Sequence, residues 1–116
     1  MAGKGDPVTN HERRVFHLPD LLEIARPGDF VIANHSFDGC DFHGPAIFAF
    51  VGGVEFAGNR LNGGPEGVLW EIPPERNNLV GAFGLQDSAF RGCTFTNIGI
   101  AGKPDVIAQF KAKLLP

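Results

Sequence analysis

From Phe30 onward the chain sets short apolar runs between Gly, Pro, Asn and Asp, and no stretch before the last dozen residues holds a helical period. Phe30 to Ala33, Ala46 to Val51, Val54 to Phe56, Val68 to Ile72, Leu79 to Leu85 and Phe90 to Ile100 each read as a strand bounded by turn residues. Strands this short and this frequent, with no helix-length segment between them, predict a coiled or barrel-like all-β domain and argue against a parallel sheet with helical crossovers. Upstream, Val15, Phe16 and Leu18 suggest a short strand, and Pro19 to Ala25 one or two helical turns ended by Pro27-Gly28-Asp29. Pro104 to Leu115 is the clearest helix: Pro104 and Asp105 suit its first turn, Lys111 and Lys113 its last, and Val106, Ile107, Phe110 and Leu114 share a face. Residues 1–12, rich in Gly, Pro, Asp and Asn, show no apolar period and read as a flexible tail, which leaves residues 13–116 as a single domain.

Inside the strand region a hexad recurs as Phe37-Asp38-Gly39-Cys40-Asp41-Phe42, Phe56-Ala57-Gly58-Asn59-Arg60-Leu61 and Phe90-Arg91-Gly92-Cys93-Thr94-Phe95. Phe30, Ala49 and Phe83 each precede a motif phenylalanine by the same interval. Apolar residues five apart around a glycine describe short strands stacked on one another, with rungs of ~17–20 residues. One rung between the second and third copies has lost the motif and holds Val68 to Ile72 and an insertion, Pro73 to Asn78. The expected fold is therefore all-β with a terminal helix: a short right-handed parallel β-helix, or solenoid, of about three to four rungs, capped by the amphipathic helix 104–115. Such a helix would cover the apolar core and unpaired backbone at one end of the coil.

At these residues the chain resembles pentapeptide-repeat and other short right-handed β-helix proteins, whose rungs place an apolar residue at the centre of each five. Phe37, Phe42 and Ile47 keep the five-residue step, as do Phe90, Phe95 and Ile100. The resemblance covers about Phe30 to Ala101, and the longer middle segments depart from it. It implies a protein that acts through shape and surface charge without covalent chemistry.

Composition supports a core of stacked rings. The 116 residues include 11 Phe and no Tyr, with 16 Gly and 9 Pro. Phenylalanine supplies apolar area without a hydroxyl to satisfy, and the Gly and Pro supply turns. A net charge of -3, with the basic residues scattered, argues against nucleic acid as a partner. No run approaches the ~20 apolar residues needed to cross a bilayer, and the N-terminus has no signal-like apolar stretch, so no membrane partner and a cytoplasmic location are expected.

Candidate chemistry is sparse. Cys40 and Cys93 hold the same motif position; with a rung between them they would lie about 10 Å apart at ~4.8 Å per rung, beyond disulfide reach, so two buried free thiols are expected. His35 and His43 with Asp38 and Asp41 invite a metal reading, but no His-x-His or Cys-x-x-Cys pair accompanies them. The alignment of copies instead puts Asp41, Arg60 and Thr94 in one outward column, where a carboxylate would meet an arginine, and His43, Asn62 and Thr96 in another. No metal and no cofactor are expected. Gly-x-Ser-x-Gly and phosphate-loop spacings are missing, so serine-triad and phosphate-loop enzymes find no support.

The remaining suspicion is a ligand-binding set made of His43, Glu66, Trp70, Glu71, Glu75 and Arg76, since carboxylates beside an exposed aromatic are what a glycan-binding or glycan-cleaving face uses. Against it, Trp70 sits in an alternation where it could serve as core. The favoured expectation is a non-catalytic interaction or assembly module that forms a homo-oligomer, a dimer or higher, because a short coil leaves apolar ends that a second copy can cover. A separate protein partner is the other candidate occupant. The competing expectation is a small carbohydrate-binding or carbohydrate-active protein.

Overall fold

The computed structural model describes residues 8–63, 65–73, 75 and 81–114, with the side chains of residues 65, 66, 113 and 114 outside that description. In chain order its elements are β1 (Thr9–Glu12), β2 (Val15–Phe16), α1 (Leu18–Ile24), β3 (Val31–Ala33), β4 (His35–Asp38), β5 (Asp41–Gly52), β6 (Glu55–Ala57), β7 (Arg60–Asn62), α2 (Pro65–Val68), β8 (Leu69–Glu71), β9 (Phe83–Gln86), β10 (Ala89–Arg91), β11 (Thr94–Gly102) and α3 (Pro104–Leu114). Strands dominate, and every described pairing between them is parallel. The C-terminal helix forms where the pattern of Val106, Ile107 and Phe110 puts it.

The three hexads stack in register, in an order that differs from their order along the chain. Phe90 pairs with Phe37 on one side and with Phe56 on the other, so the third copy lies between the first and the second. The next column repeats this: Phe95 sits between Phe42 and Leu61. Among the described residues, no separate degenerate rung forms between the second and third copies. β8, which was assigned to it, continues the layer begun by Phe56 and pairs with β11. Four layers result: β1 and β2 with α1, then β3 to β5, then β9 to β11, then β6 to β8. From β3 the chain returns as β5 two places along the sheet, with β9 between; β9 returns as β11 with β5 between.

The first layer is a fourth hexad that sequence reading missed. His11 pairs with Phe37 and Phe16 with Phe42, so His11-Glu12-Arg13-Arg14-Val15-Phe16 occupies the same columns. Residues 9–12, expected to belong to a flexible tail, are strand β1. The corner between the first two columns explains the motif glycine. Gly39, Gly92 and Gly58 have φ of 63°, 62° and 66°, a left-handed conformation that a Cβ disfavours. Arg13 takes the same corner at φ 49°. A second corner holds Asn34, Asp87 and Gly53, again left-handed, and built from the residue types that tolerate it.

Ring stacking fills the interior. Phe37 lies 4.8 Å from Phe90, Phe42 lies 4.9 Å from Phe95, and Phe37 meets Phe42 edge-on at 5.1 Å. Ladder spacing near 4.8 Å is close to the stacking distance of aromatic rings, so parallel in-register pairing places like on like. Leu21 of α1 closes the first-layer end, with the Arg14 guanidinium 4.5 Å over the Phe16 ring. α3 closes the other end: Ile107 is buried, and Phe110 lies 5.3 Å from Phe50 and 5.2 Å from Phe56. No helix among the described residues is long and apolar enough to cross a membrane.

Candidate functional site

Cys40 and Cys93 are adjacent, contrary to the separation expected by counting rungs, because the layer carrying Cys93 packs directly on that of Cys40: the Thr94 N–H donates to the Cys40 carbonyl at 2.9 Å. Both are buried and free. The Cys40 thiol points at the His11 carbonyl (3.6 Å) and the Cys93 thiol at the Phe37 carbonyl (3.5 Å). Burial pushes the Cys93 thiol up to about 11, which makes it unreactive as a nucleophile near neutral pH. In the fourth layer Asn59 takes the cysteine position, accepting from the Cys93 N–H at 2.8 Å and donating to the Phe90 carbonyl at 2.9 Å. It is a backbone staple.

The outward columns are corrected in part by the same interleaving. Thr94 stands between Asp41 and Arg60, so those two charges do not meet. Asn62 does bond its neighbour in the column, donating to the Thr96 hydroxyl at 3.0 Å. The charged ladder that does form is centred on Arg91, 2.7 Å from Glu55 and 3.9 Å from Asp38.

Among the suspected ligand residues the structure makes no single cluster. Trp70 is 55% exposed, because strand alternation turns Leu69 inward and the indole outward. Its ring lies on Gly99, where an added Cβ would come within 3.1 Å of the indole Nε1. A shallow groove of about 630 Å³ runs beside it, lined in part by Pro45, Ile47, Asn62, Asn97 and Gly99. Glu71, the next residue, points toward α3 and lies 3.8 Å from the Lys111 ammonium. Glu75 is an exposed turn residue. His43 is two strands from Asn62 in its column and stacks on His17 at 5.0 Å. Arg76 and the Glu66 side chain lie outside the described residues. Of the six, Trp70 alone borders the groove in the described set.

A second opening, of about 250 Å³, separates α3 from the fourth layer, lined by Phe50, Val54, Phe56, Leu61, Val106 and Phe110. At the opposite end, Val8, Val15, Leu18 and Leu22 are exposed on the first layer and α1, and among the described residues β1 and β2 each have a strand on one side only.

Sequence reading weighed His35 and His43 but missed His11, which the structure sets against His35. His11 and His35 stack with ring centres 5.3 Å apart, and His11 Nε2 lies 3.0 Å from His35 Nδ1. Burial, and after it the Arg14 cation, holds His11 below the ordinary imidazole value; burial, and after it His11, does the same to His35. His11 was legible only as the first member of a hexad whose phenylalanine and glycine had both been replaced. No group of three or more metal-ligating side chains occurs among the described residues. Comparison with protein-family models, with curated proteins and with solved structures finds no match to this chain.

Proposed function

We propose that this protein is a non-catalytic assembly module: a short right-handed parallel β-helix, of pentapeptide-repeat type, that associates with a second copy of itself through its first-layer end. The observation that carries the reading is the combination at that end of apolar side chains and open strand edges. Val15, Leu18 and Leu22 are exposed, and the outer edges of β1 and β2 hold no strand partner among the described residues. Exposed parallel edges beside apolar surface favour self-pairing, and a twofold axis across one patch gives a closed dimer. The fold reading draws support from four in-register layers, from left-handed corners aligned layer upon layer, and from an advance of two strands per circuit, which describes a two-start winding. The buried thiols and the scattered carboxylates favour an architectural role over a catalytic one.

Sedimentation across a concentration series tests the assembly. A dimer weakened by Leu22→Lys and by Val15→Lys is expected; a chain that sediments as monomer at millimolar concentration overturns the reading.

A second reading is favoured by one observation, the exposed Trp70 on a groove that Asn62 and Asn97 also line. An aromatic platform with amides at its edge suits the apolar face and hydroxyls of a sugar ring. It expects saccharide-dependent changes in Trp70 emission that Trp70→Ala eliminates from a binding isotherm; saccharide panels that leave emission unchanged remove it.

A further inference from the structure

We propose that the first layer is a pH-released cover: protonation of His11 and His35 at its junction with the second layer detaches residues 9–24 while the other layers stay folded.

The chain has four histidines, and all four lie at this one junction. His11 and His17 stand on the first-layer side, His35 and His43 on the second, as two facing pairs with ring centres 5.3 and 5.0 Å apart. His11 fills the hexad position held in the other layers by Phe37, Phe90 and Phe56, so only here does the aromatic column contain a group that titrates. It stacks on Phe37 at 4.8 Å.

In the neutral pair, one ring N–H donates to the other ring's bare nitrogen across the 3.0 Å between His11 Nε2 and His35 Nδ1. When both rings are charged, both nitrogens carry hydrogen and the bond becomes a repulsion. The surroundings offer little relief. The charge felt by His11 is the Arg14 cation, and Arg14 is itself 3.9 Å from Asp20. Glu12 and Asp38 share the β1–β4 ladder, but Asp38 faces Arg91. Asp41 pairs with Val15, His43 pairs with Thr96, and the Ser88 hydroxyl accepts from the His35 backbone N–H. Asp20 accepts from the His17 backbone N–H. Among the described residues no carboxylate lies within ion-pair distance of any of the four rings.

The sign follows from linkage. His11 and His35 bind protons less tightly in the stack than the ordinary imidazole value of 6.5. The junction is therefore fully stable above that value and loses stability as pH falls from it toward the lower value in the stack. Each of the two histidines shifts the detachment equilibrium by up to tenfold per pH unit in that window, or about 100-fold together. Detachment stays local because, among the described residues, β1 pairs with β4 alone and β2 with β5 alone, while layers three and four contain no histidine.

Residue-resolved amide hydrogen exchange between pH 7 and pH 5, corrected for intrinsic rates and run at a concentration where the chain sediments as monomer, tests this independently of self-association. Protection at Phe16 and Leu21 should fall 10- to 100-fold per pH unit below 6.5 relative to Phe95 and Ile100, with Trp70 emission unchanged. His11→Phe, which restores the hexad, should flatten the response; His35→Gln should do the same and serves if the first variant fails to fold. Phe16 protection that tracks Phe95 down to pH 5, loss of both together with a Trp70 shift, or an acid response in the variants equal to that of the parent each overturn the proposal.

Discussion

Truncating Phe90 to Ala should cost far more stability than truncating Phe56, although Phe56 is the middle copy along the sequence. Phe90 is fully buried and its ring lies 4.8 Å from Phe37, 5.6 Å from Phe42 and 5.7 Å from both Phe56 and Phe95. Ladders on both sides fix the backbone spacing, so the site cannot collapse around the missing ring, and the loss belongs at the upper part of the ~3–5 kcal/mol range for such truncations. Phe56 is half-buried and borders the opening under α3. Removing it enlarges a space already open to water, and roughly 1–2 kcal/mol is expected from the area lost. Against a total stability of about 5–15 kcal/mol, the first change is a large fraction and the second is not. Urea unfolding reads the difference: with a slope of about 1.5–2 kcal/mol per molar, Phe90→Ala should lower the midpoint by roughly 2–3 M and Phe56→Ala by roughly 0.5–1.3 M, both with unchanged slope. If Phe56→Ala proves as costly as Phe90→Ala, the interleaved order of the layers is wrong.

Asn59→Ala removes both hydrogen bonds that the Asn59 side chain makes to the third layer; a loss of about 1–3 kcal/mol is expected from urea unfolding, and Asn59→Asp, which keeps the acceptor toward the Cys93 N–H, should lose less. The Cys93 thiol, raised to about 11 by burial, should resist an aromatic disulfide reagent at pH 8 in the folded protein, with both cysteines reacting once guanidinium is added; rapid native labelling of Cys93 would contradict its burial. Glu55→Ala, which breaks the Arg91 pair at 2.7 Å, should cost less than about 1 kcal/mol because both side chains are about half exposed, as a thermal melt at low and high salt can show.

Much of this architecture is readable from the hexad alone. Phe37, Phe42, Phe90 and Phe95 announce two aromatic columns and Gly39, Gly58 and Gly92 announce the corner between them, because only stacked, parallel strands make such a period useful. The order of the layers is not readable, for a physical reason: in-register stacking of like motifs puts the same residue types in the same columns whichever copy neighbours which. The error about Cys40 and Cys93 came from that degeneracy, as did the expected meeting of Asp41 and Arg60. The first layer escaped notice because His11 and Arg13 replace the two residues that define the motif, while stacking and a strained corner tolerate both. The outward turn of Trp70 depended on Gly99, a residue 29 positions away whose missing side chain gives the indole a place to lie.

Because the third hexad is wedged between the other two, growth of the chain from the ribosome cannot complete the stack step by step. Strands β4 to β7 form the walls of a slot whose filling is made of β10 and β11, so those walls have no strand-to-strand contact with each other in these columns until residues 89–102 have emerged. High contact order of this kind slows folding and leaves two sticky, unpaired rims exposed in every nascent or prematurely terminated chain.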